Sequence, residues 1–285
     1  MPVLPTPVSR PSPPIVLTFA ASDPAGGAGI QADLMTLSAL GCHALSVLTA
    51  LTAQDTVGIY GVLPIAPEWV EKQARALLAD MAVDVFKIGL LGSRGNVEVI
   101  ARILADYPNL PVVFDPVLAS GRGDALADAP MIAAIRVLLL PRTTLLTPNS
   151  LEARRLADDG RGEHGAENLP PAECARRLLA LGCGQVLLTG THEDTPQVIN
   201  ELYDGAGLMR SDCWERLPGS YHGSGCTIAS AIAAGLAHGL SLSEAVGQAQ
   251  DYTWHALRAG FRPGRGQVIP NRFFRARPGA GGDRA

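Results

Sequence analysis

Apolar residues fall along this chain in short continuous runs separated by longer amphipathic stretches. Ile15-Val16-Leu17-Thr18-Phe19-Ala20 opens the series, and further runs occupy residues 44–51, 83–88, 111–115, 144–147 and 185–189. Runs of this length without polar alternation predict strands buried on both faces. Between them, apolar positions recur at helical spacing over about 30–40, 67–81, 95–106, 129–140, 150–157 and 171–181. Gly41 is a stop signal for the first helix. The alternation predicts βαβ units and an α/β fold with a mostly parallel sheet covered on both faces. Asp204-Gly205, between 198–203 and 207–211, reads as a hairpin turn that adds an antiparallel edge. Two helices, 225–238 and 243–259, complete the pattern, which places a single domain over 15–275. The Pro-rich segment 1–14 reads as a flexible tail, 158–170 as a polar surface loop and the Gly/Arg-rich segment 276–285 as a disordered tail.

Composition narrows the functional classes. With 285 residues, 47% hydrophobic and 18% charged, the chain has enough apolar content for one substantial core. A net charge of −4 and 5% aromatic residues supply neither a basic footprint nor a stacking platform, so no nucleic-acid partner is expected. No apolar run reaches membrane-spanning length, so no membrane partner is expected. Five cysteines, an odd number without a CxxC pair, argue against a disulfide framework and a structural zinc site. A cytoplasmic location follows as the default.

The strong polar signals stand immediately after strands, where ligands bind in open parallel sheets. Ala20-Ala21-Ser22-Asp23-Pro24-Ala25-Gly26-Gly27-Ala28-Gly29 is richer in glycine than turning requires, and its backbone N–H groups can approach a ligand closely. It matches neither a dinucleotide fingerprint nor a Walker A loop. Asp33, one helical turn on, either faces back into the crevice or is a solvated helix charge. Gln54 carries both donors and acceptors suited to the edge of an aminopyrimidine or similar heterocycle, although an ordinary loop glutamine has the same spacing.

Asp115 ends one strand, and Asn149 and Glu152 straddle a helix start after another. They suit a hydrated Mg²⁺, which takes few protein ligands; a capping box explains Asn149 and Glu152 equally well. The segment Gly223-Ser224-Gly225-Cys226-Thr227 opens an apolar helix, leaving free N–H groups and the positive end of the helix dipole aimed at one spot. That arrangement suits an anion and the charge shifting in phosphoryl transfer. At the first turn the Cys226 thiol is expected to have a lowered pKa and to serve as a base toward a hydroxyl. A buried helix cysteine is the alternative. His222 lacks a second ligand at metal spacing.

Together the segments 23–33, Lys87-Ile88-Gly89, Asp115-Pro116-Val117, Thr147-Pro148-Asn149 and His222–Thr227 resemble the hydroxymethylpyrimidine/phosphomethylpyrimidine kinases of thiamine biosynthesis, within the ribokinase-like superfamily. The resemblance runs over about 15–274. It implies a Rossmann-like three-layer α/β/α domain, a homodimer, and ATP with Mg²⁺ as cofactors. The implied reaction phosphorylates the hydroxymethyl group of a small pyrimidine and then the resulting monophosphate. By resemblance Gln54, Asp33, Ala28, Leu90 and Val117 hold the pyrimidine, while Cys226 with Gly223, Ser224 and Gly225 forms the catalytic base and anion hole. Asn149, Thr189 and Asp115 serve ATP, and Glu152 serves Mg²⁺ through water. The chain departs from many relatives at Thr189-Gly190-Thr191-His192, where they carry a lysine. A pyridoxal kinase is the rival expectation, and a non-catalytic pyrimidine sensor ranks below both. Residues 119–126 are a candidate lid over the site.

Overall fold

In the computed structural model, which describes residues 12–120, 123, 125–158 and 169–276, the predicted alternation of strand and helix is present. The chain runs β1 (Ile15–Ser22), α1 (Gly29–Ala39), β2 (His43–Gln54), β3 (Ile59–Pro64), α2 (Pro67–Asp80), β4 (Val85–Ile88), α3 (Arg94–Ala105) and β5 (Val112–Phe114). It continues through α4 (Ala129–Ala134), β6 (Leu145–Leu146), α5 (Ser150–Ala157), α6 (Pro171–Ala180), β7 (Gln185–Thr189), β8 (Gln197–Asp204), β9 (Gly207–Glu215), α7 (Ser224–Ala237) and α8 (Leu242–Arg258). All nine strands join one sheet in the order β3-β2-β1-β4-β5-β6-β7-β8-β9. The six strands from β2 to β7 are parallel, and both ends of the sheet are antiparallel. Chain direction across the sheet reverses between β1 and β4, which opens a crevice beyond their carboxyl ends.

Strand residues are apolar without alternation because each face has its own helical layer. Leu17, Phe19, Phe86, Ile88, Phe114 and Leu146 pack under α2 to α6, while Val16, Val85, Val113, Leu145 and Leu187 pack under α1, α7 and α8. Phe19 and Phe86, with ring centroids 6.3 Å apart, anchor the larger layer. Each such buried side chain contributes about 1.5–3 kcal/mol relative to exposure.

Three local expectations need correction. Residues 52–54, read as a loop, extend β2, and β3 follows where no strand was expected. Gly61 and Pro64 disguise β3, but an edge strand tolerates both because half of its backbone groups need no partner. The helix expected over 129–140 stops at Ala134 and gives way to a π turn, Ile135–Leu139, and a 3-10 turn, Leu140–Arg142. Pro141 has no N–H with which to continue an α-helix.

Most of the two expected tails and of the 158–170 loop lies outside the described residues. In the candidate lid, Ala119 and Ala125 form an antiparallel bridge and the Leu126 N–H donates to the Leu118 carbonyl. Residues 121, 122 and 124 lie outside the described set.

Candidate active site

The loop after β1 is pinned from within and from across the sheet. Asp23 is buried and its carboxylate accepts the N–H groups of Ala25 (2.8 Å) and Ala28 (2.6 Å), with His222 Nε2 at 2.9 Å. Burial alone would raise this carboxyl, but hydrogen bonds from His222, Gln54 and Ala28 outweigh it and hold the group below its ordinary value. The loop then meets the start of α7. Gly223 has φ +82°, and a β-carbon there would fall 1.9 Å from the Gly27 carbonyl oxygen. The buried Arg272 guanidinium bridges the contact, donating to Gly27 O at 2.5 Å and to Thr227 Oγ1 at 3.1 Å.

No side chain caps α7, unlike α5 and α8, which both carry capping boxes. Its first-turn N–H groups therefore remain available to a ligand. Cys226 is in that turn but is not the activated thiol expected. Burial pushes its pKa up to about 12, despite the opposing positive charge of Lys87. A helix start lowers a thiol pKa only where the thiolate stays solvated, and here α7 presses the sulfur against the sheet. The Cys226 thiol instead acts on Asp115, whose carboxyl it holds down against the larger upward effect of burial.

Asp115 and Glu152 are both buried, and burial raises both carboxyls; Asp115 raises Glu152 further by like charge. Glu152 Oε2 accepts the Asn149 N–H at 2.9 Å, and Asn149 Oδ1 accepts the Glu152 N–H at 2.9 Å, so the capping box is real. Asp115 Oδ2, however, is buried with no hydrogen-bond partner. An unpartnered carboxylate oxygen beside a second acid fits a cation such as Mg²⁺, which uses one or two carboxylates and completes its shell with phosphates and water. Among the described residues no group of three or more candidate metal ligands exists, so a closed protein cage is not what this site offers.

These groups line one cavity of about 740 Å³, ligand-sized by common standards. Toward the β2–β3 hairpin its wall carries Gln54, Ala28, Leu90 and Val117; at its centre are Gly223, Ser224, Gly225, Cys226, Asp115 and Glu152. Asn149 and Thr189 begin the far end, which continues through β8, β9 and α8. Amides and hydroxyls predominate there: Gln250 Oε1 accepts from Asn200 Nδ2 and Trp214 Nε1, and Thr253 Oγ1 is buried without a partner. The Arg216 guanidinium on the same wall donates to the carbonyls of Thr191, Glu193 and Thr195.

Asp33 is the exception among the expected site residues, and the expectation that it touches a ligand is corrected. It is fully buried between α1 and the sheet, on the same helix face as Ile30 and Leu37. There it accepts from Lys87 Nζ, Thr18 Oγ1 and Ser230 Oγ, with Lys87 itself at the cavity wall. Lys87, His222 and Arg272 are components that sequence reasoning did not assign. A lysine inside an otherwise apolar strand was a visible signal; Arg272, in an irregular segment, carried none.

The chain matches the phosphomethylpyrimidine kinase family over residues 23–271. It is 39% identical over 241 residues to the hydroxymethylpyrimidine/phosphomethylpyrimidine kinase of Escherichia coli K12, covering 85% of this chain and 90% of that one. A thiamine biosynthesis bifunctional protein of Geobacter sulfurreducens is 41% identical over 261 residues; the match covers 92% of this chain but spans about half, 52%, of that longer relative. Among solved structures, a Staphylococcus aureus pyridoxal kinase in complex with pyridoxal superposes with a TM-score of 0.82 at 28% identity, covering 94% of this chain and 96% of that one. A Clostridium difficile phosphomethylpyrimidine kinase gives a TM-score of 0.71 at 32% identity, covering 84% and 97%. The ribokinase-like architecture and the near-complete span of the family match agree with the motifs gathered around the cavity. The chain belongs to the phosphomethylpyrimidine kinase family.

Proposed function

We propose that this protein transfers the γ-phosphoryl group of ATP to the hydroxymethyl oxygen of 4-amino-5-hydroxymethyl-2-methylpyrimidine, and then phosphorylates the monophosphate to the pyrophosphate used in thiamine assembly. The observation that carries the reading is continuity. One cavity joins a small apolar recess with an amide at its edge, an uncapped glycine-rich helix start with two buried carboxylates beside it, and a far end rich in amides and hydroxyls.

Gln54 is assigned to the pyrimidine edge, with Ala28, Leu90 and Val117 shaping the recess. The first-turn N–H groups of α7, from Ser224 to Cys226, hold the transferring phosphoryl oxygens as charge shifts onto them. The substrate O–P bond forms as the bond to the β-phosphate oxygen breaks and ADP leaves. The hydroxyl proton passes to the Asp115–Cys226 pair, in which the thiol orients the carboxylate. Asn149 and Thr189 border the nucleotide. Asp115 and Glu152 are the residues that would hold Mg²⁺, which would supply positive charge against the ATP phosphates.

The deciding assay couples ADP release to absorbance, with the pyrimidine alcohol, its monophosphate and pyridoxal as separate acceptors. Turnover on both pyrimidines above that on pyridoxal is expected. Faster pyridoxal phosphorylation would give the function to the rival that the Staphylococcus aureus similarity favours, and binding without ADP release would make the protein a sensor.

We also propose a cytoplasmic homodimer. All five cysteines are free, as suits a reducing compartment. Leu51, Tyr60, Val62 and Leu63 expose apolar surface on the β2–β3 edge, which suits a second copy. Leu63→Glu should shift sedimentation from dimer to monomer, and an unchanged dimer would place the interface elsewhere.

A further inference from the structure

The transfer just described leaves Lys87 without a task, although it occupies the most restrictive position near the site. It is fully buried in β4. Its Nζ donates to Asp33 Oδ1 at 2.8 Å and Oδ2 at 2.9 Å. Asp33 is further bonded by Thr18 Oγ1 at 2.7 Å and Ser230 Oγ at 2.8 Å, so this carboxylate is fully occupied in fixing the ammonium. The four residues come from β1, α1, β4 and α7 and form a polar island among Val16, Val85, Val113 and Ile232.

As a structural clamp the pair is a poor device. Desolvating two charges consumes most of their mutual attraction, and apolar residues of similar volume join elements as well or better. Its location points elsewhere. β1 and β4 flank the reversal of chain direction where the crevice opens. A β-carbon on Gly89 would lie 2.9 Å from Lys87 Nζ, and both Gly89 and Lys87 border the cavity. The ammonium therefore abuts the wall at a point where the chain carries no side chain. Asp115 and Cys226, on the same wall, both feel its charge.

We infer that Lys87 is a positioning residue for phosphoryl transfer: its ammonium, fixed by Asp33 behind Gly89, is a permanent counter-charge for negative charge collecting on the substrate oxygen and its proton acceptors. The inference rests on the kinase reading above. Asp33 acquires a functional role through it, as the anchor of the cation instead of a substrate contact.

The test removes both charges together. Lys87→Met alone strands a buried carboxylate and is expected to unfold readily, so the informative protein is the double variant Asp33→Asn/Lys87→Met. It should melt near the wild-type temperature and bind the pyrimidine alcohol with a Kd within about threefold of wild type by calorimetry. Its kcat should fall about a hundredfold, the scale of losing one preorganised electrostatic group. A kcat within about threefold of wild type in the folded double variant overturns the inference and makes the pair architectural. Asp33→Asn/Lys87→Gln, which keeps hydrogen bonds in the same space, repeats the test if the Met variant misfolds. If neither neutral pair folds, the charges belong to the architecture and the inference is equally lost. Absence of pyrimidine kinase activity in the wild-type protein would instead sink the proposed function, so the two failures are distinguishable.

Discussion

At the end of the cavity beside the β2–β3 hairpin, side chains from distant segments are tied together through buried polar contacts; at the end beside β8, β9 and α8, amides, hydroxyls and backbone predominate, and the charges of Asp212 and Arg216 are taken up by neighbouring groups. Asp23, His222, Gly27, Gly223 and Arg272 meet within hydrogen-bond or van der Waals reach at the first end. At the second, Gly190 N–H donates to Asn200, Asn200 to Gln250, and Gln250 to Asp212. Arg216 there donates to the carbonyls of Thr191, Glu193 and Thr195, fastening the turn after β7. The braced end suits a small rigid heterocycle that must be placed accurately, because misplacing a reacting group by an ångström has a large effect on rate. The nucleotide proposed for the other end is long and flexible and supplies its own charge and many contacts, so plainer construction suffices there.

Substitutions can break or sharpen this contrast. The largest effect is expected from Gly223→Val at the braced end. It places a β-carbon into Gly27 O and forces a branched residue into left-handed backbone, so kcat should fall about a thousandfold or the chain should fail to fold. Near-normal turnover and melting would show that the bracing yields. Cys226→Ala should reduce kcat about a hundredfold with pyrimidine Kd nearly unchanged, and Cys226→Ser should recover part because a hydroxyl can still donate to Asp115. If serine does no better than alanine, a donor beside Asp115 has no part in the reaction. Glu152→Gln keeps an oxygen for the Asn149 N–H while removing the acid that Mg²⁺ would hold ionised; the Mg²⁺ concentration for half-maximal rate should rise about tenfold, the scale of losing one charge-assisted contact. An unchanged Mg²⁺ titration with a lowered melting point returns Glu152 to capping alone. The smallest effect is expected at the plain end, where Thr189→Lys should lower KM for ATP about threefold through a charge-assisted contact. A larger gain would mean that Arg216, taken up by carbonyls, leaves this end short of available positive charge and that plain construction does not suffice there.

The fold was legible in proportion to how local its causes are. Buried strands announce themselves as apolar runs, and capping boxes as Asn149/Glu152 and Ser241/Glu244. β3 escaped because edge strands relax the very rules that identify strands. The site was legible as a set of loops, and all of its expected residues except Asp33 border one cavity. Asp33 was misjudged although Ile30 and Leu37 mark its helix face as the buried one. The Cys226 thiol was misjudged because the helix dipole is a local argument, whereas its burial depends on β5, more than a hundred residues away in sequence. Arg272 was invisible for the same reason.

That last residue has a consequence for how the enzyme is made. Arg272 clasps Gly27 across 245 positions of sequence. A ribosome extending the chain at about 5–20 residues per second delivers the glycine loop early and its clasp only when nearly the whole sheet already exists. Contacts of such long sequence separation must first meet the entropy of closing the loop between them, which slows their formation. The nascent protein can therefore assemble its core while its pocket is still unfinished, and phosphoryl transfer begins only once the last segment has come home.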